Sequence, residues 1–252
     1  MKRKQQFLLS LFLLTLGIFS CSSTVYAKAW MVKLKPNTTY KTDMTGDGKK
    51  DTLKFTEKNI QSDYPSQTHR IFYINGKKVK DITSYGSAPI YFYKNGTSNE
   101  YLIVGSRYKG GGKDYFVFHC KKSLKNIGCL PTDYFVGGLY LTGNNIKYIT
   151  YAKGMYVTKY RPIATLNNGR ISLAGSYPKI TGRTAATANQ SQRTRKAVNS
   201  KNLDGFKLYK GQKVKILKVY LKKSYNSYSK QYFYEPYYYI RVNNNYGWIT
   251  YL

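Results

Sequence analysis

The chain has 252 residues, 42 Lys and Arg against 11 Asp and Glu, a formal net charge of +31, and 42% hydrophobic and 16% aromatic residues. That apolar content excludes a chain disordered throughout, and the charge points to polyanionic partners or surfaces. With two His, three Cys and no paired carboxylates of acid/base type, few groups are left for catalysis, and no catalytic residue is assigned.

Residues 1–27 read as a secretory signal peptide, expected as a helix. Lys2, Arg3 and Lys4 form a positive start, and Phe7 to Phe19 is an almost unbroken run of Leu, Phe and Ile. About 20 apolar residues are needed to span a bilayer, so the run is short for an anchor. Val25-Tyr26-Ala27 places small residues at −3 and −1 for cleavage before Lys28. Export follows, to a secreted, extracellular or wall-associated location with no membrane attachment after cleavage. The alternative uses Cys21: Ile18-Phe19-Ser20-Cys21 resembles a bacterial lipoprotein box, and lipidation there would retain the chain at a membrane.

The mature chain reads as all-β in two parts, residues 28–182 and 183–252. Thr52 to Thr56 alternates with period two, and Ile71 to Ile74 runs into the hairpin signal Asn75-Gly76 and resumes at Lys77. Ile90 to Tyr93, Tyr101 to Val104, Tyr115 to Phe118, Tyr134 to Val136, Leu139 to Leu141 and Ile146 to Ile149 continue the series. Such spacing with Gly and Asn punctuation suits an antiparallel β-repeat, propeller-like or sandwich. Lys109 to Lys113 is glycine-rich, but an aromatic strand follows instead of the helix a phosphate loop needs, which leaves a hairpin loop. Cys120 and Cys129 are candidates for a disulfide across a hairpin, with free buried thiols as the alternative. His119 adjoins Cys120, but neighbours in a strand point to opposite faces, which argues against a catalytic dyad.

Residues 43–51 gather three of the eleven acids: Asp43, Asp47 and Asp51, with Thr45 between them and glycines at 46 and 48. Hard cations want several oxygens on a tightly turning loop, so Asp43, Thr45, Asp47, the Lys49 carbonyl and Asp51 are the candidate Ca2+ ligands. An EF-hand needs Glu at the twelfth position, where Lys54 stands, and a strand follows instead of a helix. The segment resembles the calcium loops of FG-GAP and related propeller-type repeats, in which the loop leads into a strand. That resemblance implies one ion site and a blade-like repeat.

Residues 183–200 carry one large apolar residue, Val198, and read as a linker or the loop-rich start of a second domain. Beyond them, Leu208 to Leu217 with Gly211, Tyr238 to Val242, and Tyr246-Gly247-Trp248-Ile249 resemble a bacterial SH3-like domain. The resemblance implies a small β-barrel and attachment to cell-wall polymer or peptidoglycan. The segment of roughly 222–236, rich in Tyr, Lys and Ser, departs from that pattern. Residues 183–252 hold 14 basic and 2 acidic residues, the denser charge of the two parts. Tyr238, Ile240 and Val242 share one strand face, with Tyr237, Tyr239 and Arg241 on the other. Tyr232, Tyr234, Tyr237, Tyr239 and Arg241 are the expected ligand-binding group, and Trp248 and Ile249 are expected in the core.

The function expected is that of a non-enzymatic, monomeric, envelope-associated binding protein. Export argues against nucleic acid as the polyanion, although Tyr with Lys suits single strands. One alternative is a wall-acting enzyme with its site in residues 28–182, around Asp43, Asp47 and Asp51 or Asp114 and Asp133. The other is a lipoprotein that binds partner proteins.

Overall fold

The computed structural model describes residues 28–45, 47–60, 66–96, 99–107, 113–121, 123–130, 135–152, 155–227 and 231–250. The signal peptide, Cys21, Gly46, the glycines at 110–112 and Asp133 lie outside the described residues.

Among the described residues there is no helix, and the strands pair antiparallel, including a curled half-barrel. The chain opens with β1 (Trp30–Leu34), β2 (Tyr40–Thr42), β3 (Asp51–Ile60), β4 (Gln67–Ile74) and β5 (Lys77–Tyr85). Next come β6 (Ile90–Lys94), β7 (Glu100–Arg107), β8 (Lys113–Cys120) and β9 (Leu124–Cys129). A third group is β10 (Phe135–Thr142), β11 (Asn145–Ala152), β12 (Met155–Arg161), β13 (Ile163–Asn167), β14 (Arg170–Leu173) and β15 (Lys179–Gly182). The last is β16 (Ala185–Thr187), β17 (Gln192–Arg193), β18 (Lys207–Leu208), β19 (Lys213–Asn226), β20 (Gln231–Val242) and β21 (Asn245–Ile249).

These strands form four larger sheets: β2-β3-β4-β5, β1-β6-β7-β8-β9, a six-stranded sheet of β10 to β15, and β16-β19-β20-β21. Successive sheets share cores. Leu53, Phe55 and Phe72 of the first sheet meet Phe92, Leu102 and Phe118 of the second. The opposite face of the second sheet, with Tyr93, Tyr101, Ile103 and Tyr115, packs on Ile146, Tyr148 and Leu166 of the third. Covered on both sides, β6 and β7 lose the alternating pattern and read as continuous apolar runs. The third sheet then sends Tyr160, fully buried, into the cluster of Val214, Leu221, Tyr238 and Ile240. Packing therefore crosses the division expected after residue 182.

Two local devices fix the fold's registers. Asn75 and Gly76 both take positive φ, 51° and 75°, which joins β4 to β5 by the tight turn that Asn-Gly favours. In the C-terminal part, Thr194 is fully buried, and a Cβ at Gly205 or Gly247 would collide with its hydroxyl. The apolar-poor stretch 183–200 is thus seated against β21 and the Gly205 turn by a hydroxyl against two glycines, with Arg195 bridged through its backbone to Trp248.

Candidate functional site

β19, β20 and β21 present one face to the core and another outward. Register places Lys218 opposite Tyr239, Tyr220 opposite Tyr237, Tyr239 opposite Trp248 and Arg241 opposite Tyr246. All of these lie on the outward face, because side chains alternate along each strand. Five rings follow one another across it: Tyr177, Tyr220, Trp248, Tyr239 and Tyr246. Successive centroids are 5.2, 6.4, 5.0 and 6.1 Å apart, within aromatic contact. Tyr177 joins from the connection between β14 and β15.

Cations border this row. Arg195 lies 5.6 Å and Lys222 5.7 Å from the Tyr237 ring, both at cation–π range. Arg195 Nε has no hydrogen-bond partner among the described residues. Lys218 and Arg241 add two exposed charges, and the acid on the same face is Glu235, which accepts from the Tyr237 hydroxyl at 3.2 Å. Tyr177 and Tyr246 are about half exposed, whereas Trp248 is 9% exposed.

The structure divides the expected ligand group. Tyr237, Tyr239 and Arg241 lie together on the outward face. Tyr232 and Tyr234 lie on the other side, because β20 runs without a bulge and even positions share the face of Tyr238 and Ile240. Tyr234 is half-buried against the C-terminal core, and Tyr232 packs on Tyr225 at 5.1 Å with Lys223 4.4 Å above its ring. Ile249 and Trp248 are both buried as expected, Ile249 in the C-terminal cluster and Trp248 on the opposite strand face under Tyr220 and Tyr239. Sequence reasoning missed Tyr177, Arg195 and Tyr220. Tyr220 was within reach, since its register with Tyr237 follows once the β19–β20 hairpin is paired.

The acidic loop closes on itself. Asp43 accepts from the backbone N–H groups of Asp47 (3.1 Å) and Gly48 (3.0 Å), and Asp47 accepts from that of Lys49 (2.9 Å). Asp51 is buried and accepts from Met44 and Thr45 N–H, the Thr45 hydroxyl and the Asn75 amide. Among the described residues, no three His, Cys, Asp or Glu side chains gather as a metal-holding group.

Burial works against ionisation of Asp51, but its hydrogen bonds from Asn75, Thr45 and Met44 together outweigh this and hold the carboxyl below its ordinary value. Asp51→Ala is expected to cost about 1–3 kcal/mol at neutral pH, because four donors lose one acceptor residue. A depressed folded value gives stability that is present above the unfolded value, near about pH 4, and lost as pH falls through the folded one. In urea unfolding, the gap between parent and variant should therefore shrink toward roughly pH 2. A gap that stays constant with pH contradicts this role.

The expected Cys120–Cys129 disulfide is not formed; both thiols are free. Cys120 pairs with Leu124 and Cys129 with Phe116, four strand residues away, or about 13 Å along β8. A disulfide needs Cα atoms about 4.4–6.8 Å apart. Burial, with Glu100 nearby, drives the Cys120 thiol far up, and burial with Asp114 nearby pushes Cys129 up to about 12. His119 stacks on Tyr101 at 5.1 Å, on the face away from Cys120. Asp114 stands on β8 opposite Ser106, apart from the acidic loop. The chain matches no protein family, no curated protein and no solved structure in the comparisons made.

Proposed function

We propose that the chain is an exported, non-enzymatic binding protein of the cell envelope that holds an anionic wall polymer on the outward face of its C-terminal, SH3-like part. The observation that carries this reading is the row Tyr177–Tyr220–Trp248–Tyr239–Tyr246 with Arg195, Lys218, Lys222 and Arg241 beside it. A strip of rings on a strand face has length without depth, which suits a polymer better than a small molecule. Flat rings accept sugar or peptide faces, and the surrounding cations meet phosphate or carboxylate charge. The leader read at residues 1–27 supports delivery to that polymer, and 14 basic against 2 acidic residues in 183–252 supports its sign of charge.

Co-sedimentation of residues 28–252 with purified bacterial wall tests the reading. The chain should pellet with intact wall and remain in solution with wall stripped of its anionic polymer. Equal pelleting with both overturns it.

A further inference from the structure

The long β19–β20 hairpin does more than extend the outer face. Its distal half leaves the C-terminal core and crosses to β9 and β14, enclosing a cleft of about 780 Å3. The seat is shaped from both sides. Gly128, at φ 120°, lies at the irregularity of β9, where its N–H donates to Asn126 Oδ1 at 2.9 Å. The positive φ favours glycine here, and a Cβ would sit in ordinary contact with the Tyr232 carbonyl oxygen at 3.4 Å, so the arm passes directly over this position.

Three cations surround this cleft: Lys125 of β9, Arg170 of β14 and Lys223 of β19. No acidic residue lines it, and none of the three has a carboxylate within salt-bridge distance among the described residues. Ile127, Ile171 and Tyr234 supply an apolar lining, with Tyr232 at the rim. A smaller recess of about 390 Å3 continues past Lys125 and Gly169 and adds Lys121, His119 and Asn168.

We propose that this cleft binds a phosphate ester of a short polyol or sugar. Three cations from three strands line one cleft that no acidic residue lines among the described residues, a charge balance that an anion would offset. A carboxylate offsets one charge, whereas a phosphate carries up to two and offers several acceptors for a guanidinium fork and lysines together. The side amides of Asn126 and Asn168 match hydroxyl groups as donors and acceptors, and the rings and isoleucines match the carbon backbone. The larger volume lies within the range of small-ligand sites. This site is separate from the outward face, and either reading can fail without the other.

The chain carries its own reporter. His119 is buried at the recess, and burial together with Lys121 and Lys125 holds its imidazole below the ordinary value. An anion between those lysines should raise it. The second histidine, His69, lies on β4 and serves as the internal control.

The experiment is an NMR titration of residues 28–252 with glycerol 3-phosphate, inorganic phosphate and glycerol, following both histidines as pH is varied. Glycerol 3-phosphate should saturate and raise the His119 midpoint while leaving His69 in place, and glycerol alone should do neither. Arg170→Gln and Lys125→Gln each remove an exposed charge, and each should weaken binding by about tenfold, a loss of about 1.4 kcal/mol. Tyr239→Ala, on the outward face, should leave the titration unchanged. Absence of saturation at roughly 10 mM ester, a Kd at the weak end of specific recognition, overturns the proposal. So does unaltered affinity in both charge variants, and equal affinity for inorganic phosphate overturns its polyol half.

Discussion

Arg70→Ala is expected to destabilise the protein by about 3–5 kcal/mol, the cost of emptying a large buried site and stranding the carbonyls it satisfies. Arg70 sits on β4 with no exposed surface. Its Nε donates to Glu57 Oε2 at 2.7 Å across the β3–β4 register. Its other nitrogens donate to the Gly105 carbonyl at 2.7 Å, the Ala88 carbonyl at 3.0 Å and the Ser87 hydroxyl at 3.3 Å. One guanidinium thus ties the first sheet to β7 and to the turn before β6. Truncation leaves two buried carbonyls without this donor and opens a cavity, and each loss is costly by itself. Glu57 keeps 21% side-chain exposure and can rehydrate once Arg70 is gone, whereas Glu57→Gln leaves a fully buried guanidinium without its counter-charge and should itself be clearly destabilising. Urea unfolding of both variants and their double mutant measures the coupling. A loss below about 1 kcal/mol for Arg70→Ala contradicts this account, since that is the range of exposed pairs.

The second large effect concerns binding. Tyr246→Ala is expected to weaken attachment to wall by about tenfold, the scale on which a truncated aromatic contact of an interface is felt. Tyr246 is 48% exposed, so its removal should leave the melting temperature close to that of the parent, and lost binding cannot then be assigned to unfolding. Trp248 is unsuited to the same test. At 9% exposure it is packed by Tyr220 and Tyr239, and its truncation carries the cost of a buried aromatic. Tyr140, 57% exposed on β10, is the matched control whose replacement should not alter wall binding. Tyr246→Ala with parental affinity, or Tyr140→Ala with lost affinity, removes the outward face from consideration.

Period-two alternation made most strands legible. Thr52 to Thr56 falls inside β3, and Asn75-Gly76 forms its turn because both residues tolerate positive φ. Arg70 was also readable in principle: counting back by twos from Ile74 and Phe72 places it inward. A charge in that position reads as a break in the pattern unless Glu57 is already known to lie opposite. The stretch 183–200 hid its structure for another reason. Its seating depends on Thr194 fitting against Gly205 and Gly247, a steric match between segments that composition does not carry.

The binding group was half legible. Tyr237, Tyr239 and Arg241 share a face by simple alternation, as the sequence indicated. Tyr232 and Tyr234 carry the opposite parity, and they belong with the cleft against β9 and β14 instead. The acidic loop shows the limit of a motif. Oxygen-bearing side chains at alternate positions suit a cation, and the same side chains suit closure of tight turns by accepting N–H groups. Spacing cannot separate these uses, and the structure adds the hydrogen bonds by which Asp43, Asp47 and Asp51 accept from the loop's N–H groups.

The most direct test of the central claim is the salt dependence of wall binding by residues 28–252. If cations around the aromatic row meet an anionic polymer, affinity should fall at least about tenfold between roughly 0.05 and roughly 0.5 M salt, where screening shortens to a few ångströms. Some attachment through the rings should persist at the high end. Wall binding that is unchanged across that range contradicts the account.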